Sequence, residues 1–205
     1  LTWTQPIQVD LFINYVYVSK AERDYFRKNN FYYLTHTMQR LLFTVGADIN
    51  SATILTEFTG SVKELWWVIQ TDGTSSYNFL NGTQEQLVSL ELSANGNYII
   101  IDSSEIGSVP MYFRVIQPLQ NHTRVPDRYF YMYSFALNPD NATQSTGSID
   151  FSKIKNQLHK IQLTSSIFSR QIRIYAVTNN IVKISKGSAT ALFGAVQEGG
   201  TKIAV

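Results

Sequence analysis

Lys63-Glu64-Leu65-Trp66-Trp67-Val68-Ile69-Gln70 holds five apolar residues in an unbroken row. Side chains alternate across a strand, so a row without polar interruption must be covered on both faces. The segment Val62 to Gln70 therefore reads as a central strand in a layered β fold. Upstream, Leu41 to Val45 and Ala52 to Phe58 have strand patterning, within a region that turns extended from Phe31 onward. Downstream, Asp72-Gly73, Asn81-Gly82 and Asn95-Gly96 are turn signals, and Thr71 to Gln86 is expected to form a long exposed loop. Leu87 to Leu92 and Tyr98 to Ile101 are shorter strands.

Further out, Pro110 to Gln117 reads either as a helical turn, capped by Ser108 and stopped by Pro118, or as an extended segment, and the helical turn is favoured. Tyr129 to Leu137 alternates, with Tyr129, Tyr131, Tyr133, Phe135 and Leu137 on one face. Asn138-Pro139-Asp140 breaks it, and Asn141 to Ser148 is a polar loop. Ile161 to Thr164, Gln171 to Thr178 and Ile181 to Ser185 are strands. Asn179-Asn180 reads as a tight hairpin turn, because Asn tolerates positive φ. Toward the start, Ile7 to Val18 is the clearest strand: Ile7, Val9, Leu11, Ile13, Tyr15 and Tyr17 line one face. Ser19-Lys20-Ala21-Glu22 follows as a capping box, predicting a helix from Lys20 to Lys28 that Asn29-Asn30 ends. Many strands, one good helix and no βαβ spacing point to an antiparallel sandwich, read as one domain over 1–205.

Composition agrees. The 205 residues are 44% hydrophobic and 13% aromatic, enough to bury a core without staples. Cysteine is absent, which removes disulfides, cysteine-ligated zinc and thiol nucleophiles together. A net charge of +2 is too small to imply nucleic-acid binding. No apolar run has the length of a transmembrane helix, and Leu1 to Asp10 has no signal-peptide character. A chain that starts without Met is expected to be a fragment.

Candidate sites are few. His36, His122 and His159 have no metal-ligand spacing, no G-x-S-x-G elbow exists, and nothing brings Glu85 and Glu91 together as a glycosidase pair. No catalytic, cofactor or metal residue is assigned. Lys153, Lys155, Lys160, Arg170, Arg173, Lys183 and Lys186 make the C-terminal third basic. Contact with an anionic surface is one reading; a solvated sheet face guarded by Lys outweighs it. Asn81, Asn121 and Asn141 each open an N-x-T glycosylation pattern. A structural role is preferred for Asn121, and the other two stay open. Trp66-Trp67 and Tyr129 to Tyr133 fit a sandwich core better than a carbohydrate platform.

Several segments, in order, resemble the major capsid proteins of nucleocytoplasmic large DNA viruses, specifically the second of their two jelly rolls. Val9 to Val18 with Ala21-Glu22-Arg23-Asp24-Tyr25-Phe26 is similar to the family's strand and "DTEERRRFA" helix. Lys63 to Gln70 resembles "KELVWVVQ". Tyr112 to Pro118 with Asn121 to Pro126 resembles "YFRxVQPYQHHTRVP", and Tyr133 to Pro139 resembles "YSFALxP". Gly147 with Phe151 to Ile154 is similar to "SGTxNFSRID", and Ile174 to Gly187 to the closing "IYAVNYNVLRIxxG". Ser145 stands where the family's "QPSG" has proline, and Thr71 to Gln86 matches no family segment.

The resemblance implies an eight-stranded antiparallel jelly roll with one or two short helices in its loops. It implies a structural, non-enzymatic protein that forms homotrimers, pseudo-hexameric capsomers and an icosahedral shell. Minor capsid proteins or an inner membrane are implied as further partners, and nucleic acid is not. Residence in the virion capsid, with assembly in the host cytoplasm, is expected. Arg23, Asp24, Arg27 and Lys28 on the charged helix are the expected capsomer–capsomer contacts. A carbohydrate-binding jelly roll is the rival reading.

Overall fold

Strands are the commonest element among the described residues and sort into two antiparallel sheets. The computed structural model describes residues 10–72, 79–80, 83–100 and 109–193. In chain order the strands are β1 (Phe31–Val45), β2 (Ser51–Thr56), β3 (Ser61–Thr71), β4 (Leu87–Ala94), β5 (Asn97–Ile100), β6 (Phe130–Ser134), β7 (Ile149–Asp150), β8 (Gln157–Leu163), β9 (Arg170–Ser185) and β10 (Ser188–Ala191). One sheet runs β1-β9-β3-β6, with β10 added on β9 and β7 on β3; the other runs β2-β8-β4-β5. Setting the short β7 and β10 aside leaves four strands per sheet, in the order of a jelly roll.

β3 is central, as its sequence requires, with β9 on one edge and β6 on the other. Its inward residues Leu65, Trp67 and Ile69 are fully buried. They meet Ile54, Leu90, Leu92 and Ile161 from the facing sheet, and Ile172, Ile174 and Ala176 from β9 complete the layer. The strict two-residue period of β2 and β8 appears directly as burial: Ala52, Ile54 and Thr56, then Gln157, His159, Ile161 and Leu163, point inward. The pairing registers place the connections after β1, β3, β5 and β8 at one end of the sandwich. The connections after β2, β4 and β6, and the approach to β1, lie at the other.

Five expectations need correction. Residues 10–18 form no strand (7–9 lie outside the described residues), because no strand among the described residues offers them a ladder. The Asn179-Asn180 hairpin does not form. β9 continues through both, paired without a break from Phe31↔Ile184 to Val45↔Arg170. The buried Asn180 amide instead bonds the backbone of Phe193 in both directions. The turn falls at Lys186-Gly187, both with positive φ. Pro118 does not stop the helical segment, which runs from α2 (Val109–Met111) through a π turn (Tyr112–Ile116) into α3 (Gln117–Asn121). The Gln117 N–H reaches back five residues to Tyr112 O, and that wider turn makes room for the proline ring. The proposed Ser108 cap lies outside the described residues. β6 ends at Ser134, and Leu137 is exposed, because the Phe135 N–H turns to bond Lys63 O. The 71–86 connection is not wholly exposed: Thr71, Phe79 and Gln86 are buried, and the Gln86 amide donates to Ile69 O and Phe79 O.

Trp67→Ala is expected to cost about 3–5 kcal/mol, a large share of the 5–15 kcal/mol typical of a domain. Trp66→Ala, on the half-buried outer face of the same strand, should cost clearly less. Thermal melts of the two variants side by side provide the check; equal losses would place the core on the wrong face of β3.

Candidate assembly surface

The helix α1 (Lys20–Lys28) forms where its caps dictate. Ser19 Oγ accepts from the Glu22 N–H at 3.2 Å, and Glu22 Oε2 accepts from the Ser19 N–H at 3.0 Å. The Asn29 backbone N–H and Nδ2 both donate to Tyr25 O. No residue of α1 is buried. Arg23, Arg27 and Lys28 are exposed and Asp24 half-buried, so the four residues singled out from sequence share one accessible helix. Tyr25 and Phe26 pack their rings on Phe31 at the start of β1, at 5.9 and 5.2 Å, and both remain half exposed. Just before α1, Leu11, Phe12 and Tyr17 are 82%, 93% and 96% exposed. A contiguous apolar strip of this kind is normally covered in the working protein.

A charged cluster sits on the outer face of the β1-β9-β3-β6 sheet. A bulge between Val62 and Glu64 makes Lys63 the extra residue, which lets adjacent Lys63 and Glu64 both enter the cluster. The buried Lys63 ammonium donates to Pro139 O, lies 3.3 Å from His36 Nδ1 and 3.9 Å from Glu64 Oε1. His122, at the end of α3, has Nε2 2.9 Å from Glu64 Oε2 and Nδ1 2.9 Å from Asp140 Oδ1. Its ring leans on Trp66 at 5.6 Å. The hydrogen bond to Glu64 leads the influences that raise the His122 pKa. Burial, then the Lys63 charge, lowers that of His36, and burial lowers that of Lys63. Sequence reading missed this cluster, although one signal was present: Lys63-Glu64 within a strand that must be buried.

His159 is a core residue. Trp67 Nε1, which can only donate, points at His159 Nδ1 from 3.2 Å, so the ring proton sits on Nε2, facing Thr56 Oγ1 at 3.2 Å. Thr56 and the Phe58 N–H both donate to Gln157 Oε1, and the Gln157 amide donates to Phe58 O and Phe151 O. Burial pushes the His159 pKa down to about 3, so it stays neutral.

The other sequence candidates disperse. Arg170 is buried, holding Thr164 O and Ile49 O. Lys160 pairs with Glu91, Lys153 with Asp150, and Lys183 lies over the Tyr32 ring. These bases do not make one patch. Glu85 pairs with Arg114, away from Glu91. Asn121 Nδ2 is committed to Gln117 O, whereas the Asn141 carbonyl caps Thr143 and Gln144 in an outer loop. Asn81 lies outside the described residues. Trp67 and Tyr131 are fully buried and form no platform. Among the described residues no three His, Asp or Glu side chains converge as metal ligands.

Residues 22–190 match the profile of the large eukaryotic DNA virus major capsid protein family. The chain is 38% identical over 80 residues to the major capsid protein of Phaeocystis pouchetii virus, a match covering 37% of this chain and 15% of that protein. To the major capsid protein of Pyramimonas orientalis virus it is 26% identical over 202 residues, covering 86% and 46%. Among solved structures, PBCV-1 VP54 superposes with a TM-score of 0.72 at 19% identity, covering 87% of this chain and 55% of that one. The chain thus spans about half the length, or less, of the proteins it matches.

Gly147 closes the loop that carries Asp140. Its φ is +148°, and a Cβ there would lie 2.7 Å from Phe135 O. Gly147→Ala should therefore destabilise by about 1–3 kcal/mol, read from the shift in thermal or denaturant midpoint. A neutral effect would mean the loop is free to move off β6.

Proposed function

The chain belongs to the large eukaryotic DNA virus major capsid protein family, and from that premise we propose that it is the second, C-terminal jelly roll of a capsid protein whose work is assembly. In this reading the full protein trimerises into a capsomer of nearly hexagonal outline, and capsomers tile the shell. Its role is structural rather than catalytic. It resides in the virion, is assembled in the host cytoplasm, and meets minor capsid proteins or an inner membrane on its inner side.

The observation that carries the two-domain reading is the uncovered strip at residues 10–18. Its strand-like alternation has no partner among the described strands, and the chain spans 46% of one relative and 55% of one solved neighbour. A preceding jelly roll would supply both a ladder for the backbone and cover for Leu11, Phe12 and Tyr17. Wide interfaces of this obligate kind commonly exceed about 2,000 Å². The rival lectin reading loses much of its platform, since Trp67 and Tyr131 spend their rings on the core.

α1 and the 71–86 connection leave opposite ends of the sandwich, which supports giving them different tasks in this reading. In this reading α1, with Arg23, Asp24, Arg27 and Lys28, is the lateral contact between capsomers, and the 71–86 connection takes no part in it. In the full-length protein, reversing charge at Arg23 and Arg27 should leave trimers intact and stop their growth into shells. Trimming the connection between Asp72 and Phe79, sparing buried Phe79 and Gln86, should leave both intact. Size measurement of the trimer and electron microscopy of particles decide the matter. Normal shells from the charge reversal would remove α1 from the contact surface; a monomeric full-length protein would remove the capsomer reading altogether.

A further inference from the structure

The charged cluster has a property that assembly alone does not require. His122 faces a carboxylate oxygen with each ring nitrogen, both at 2.9 Å. A neutral imidazole has one N–H and one lone pair, so it can satisfy only one of the two oxygens; the other then meets lone pair with lone pair. Only the imidazolium donates to both. The two oxygens belong to different parts of the fold. Glu64 is buried in β3, whereas Asp140 is about half exposed, on the loop between β6 and β7.

We propose that His122 is a proton-operated clasp that, while charged, fastens the Asp140 loop to the outer face of the six-stranded sheet, and that releases the loop when the proton is lost. The exposed arm to Asp140 is the one that opens, because Glu64 is buried and would otherwise keep an unpaired charge. Lys63 is carried along: its ammonium donates to Pro139 O in the same loop, so release strips it of that partner and uncovers a cation on the sheet face.

Every charged group facing the clasp is accounted for. β3 contributes Lys63 and Glu64, β1 contributes His36, and the loop contributes Asp140. The direction of the response follows. His122 titrates above its ordinary 6.5, so its stabilisation is complete below that pH and is lost as pH rises through the raised value. His36 titrates below 6.5, so its neutral form is favoured, and falling pH eventually sets a second cation beside Lys63. The loop is therefore released on the alkaline side, through His122.

Hydrogen exchange on the full-length protein tests this, with rates corrected for the intrinsic pH dependence of exchange. Peptides covering 138–147 should lose protection as pH climbs above 6.5, by roughly tenfold for each unit by which the His122 pKa is raised. Peptides from β8, in the facing sheet, should not respond. Asp140→Asn, at an exposed position that folding tolerates, should lower loop protection at neutral pH and flatten its alkaline response. His122→Gln should do the same. Unchanged wild-type protection across this range, an Asp140→Asn variant that keeps the full response, or an equal response in β8 would each overturn the clasp. None of these outcomes depends on whether shells form.

Discussion

The bond on which the sandwich turns is the one from Trp67 Nε1–H to His159 Nδ1, because it crosses from one sheet to the other through the core. An indole buried without a partner for its N–H would lose much of what its ring gains by burial. His159 supplies the acceptor, and in doing so has its own proton directed to Nε2. That proton needs Thr56, Thr56 needs Gln157, and Gln157 spends its amide on the backbone of Phe58 and Phe151. One polar thread therefore fixes the register of β2 and β8 against β3 and ties down the turn before β8. The thread contains no ionised group, which fits a histidine held neutral by burial. It is satisfied at each step, the condition under which buried polar groups rigidify a core rather than weaken it.

The outer face of β3 is built on the opposite principle. The bulge at Lys63 brings two charges to a half-buried surface, and they are met by groups that arrive from β1, from α3 and from the loop after β6. The inner network is neutral, its one histidine held uncharged by burial. The outer one is ionic and poised, and it secures the one long connection at its end of the sandwich. The division separates what holds the two sheets together from what holds one surface loop to the sheet. The same strand serves both faces because a single extra residue alters which way the following side chains point.

How far the sequence could be read depended on how local the cause was. α1 was fully legible, since Ser19 and Glu22 lie three residues apart and each satisfies the other's backbone. The strand character of β2 and the central place of β3 were legible for the same reason, since each is a property of one strand, whereas only the end of β8, from Ile161, was read as strand. Pro118 and Asn179-Asn180 misled. Their local preferences were outvoted by contacts made elsewhere, a π turn behind the proline and the Phe193 backbone beside Asn180. The charged cluster could not be assembled from sequence because its members come from four separate segments. Family resemblance located three of those segments in order, not the one with His36, and not the distances between them.

Residues 10–18 are the instructive case, since here the pattern was real and the structure it implied is absent. An alternating apolar strand is a statement about surroundings: it asserts a neighbouring ladder on one edge and a dry layer against one face. Neither is provided by the described strands, and the side chains stand in solvent instead. Exposing Leu11, Phe12, Ile13, Tyr15, Val16 and Tyr17 together is unfavourable by about 25 cal/mol for every Å² of apolar surface left wet. A cost of that kind is avoided only if the cover exists in the working protein. α1 follows this strip directly and buries none of its own residues. The strip and the helix therefore form one continuous uncovered surface, apolar first and charged after. In the proposed two-jelly-roll reading, the apolar part is the one that needs permanent cover, and the charged part can remain in contact with water.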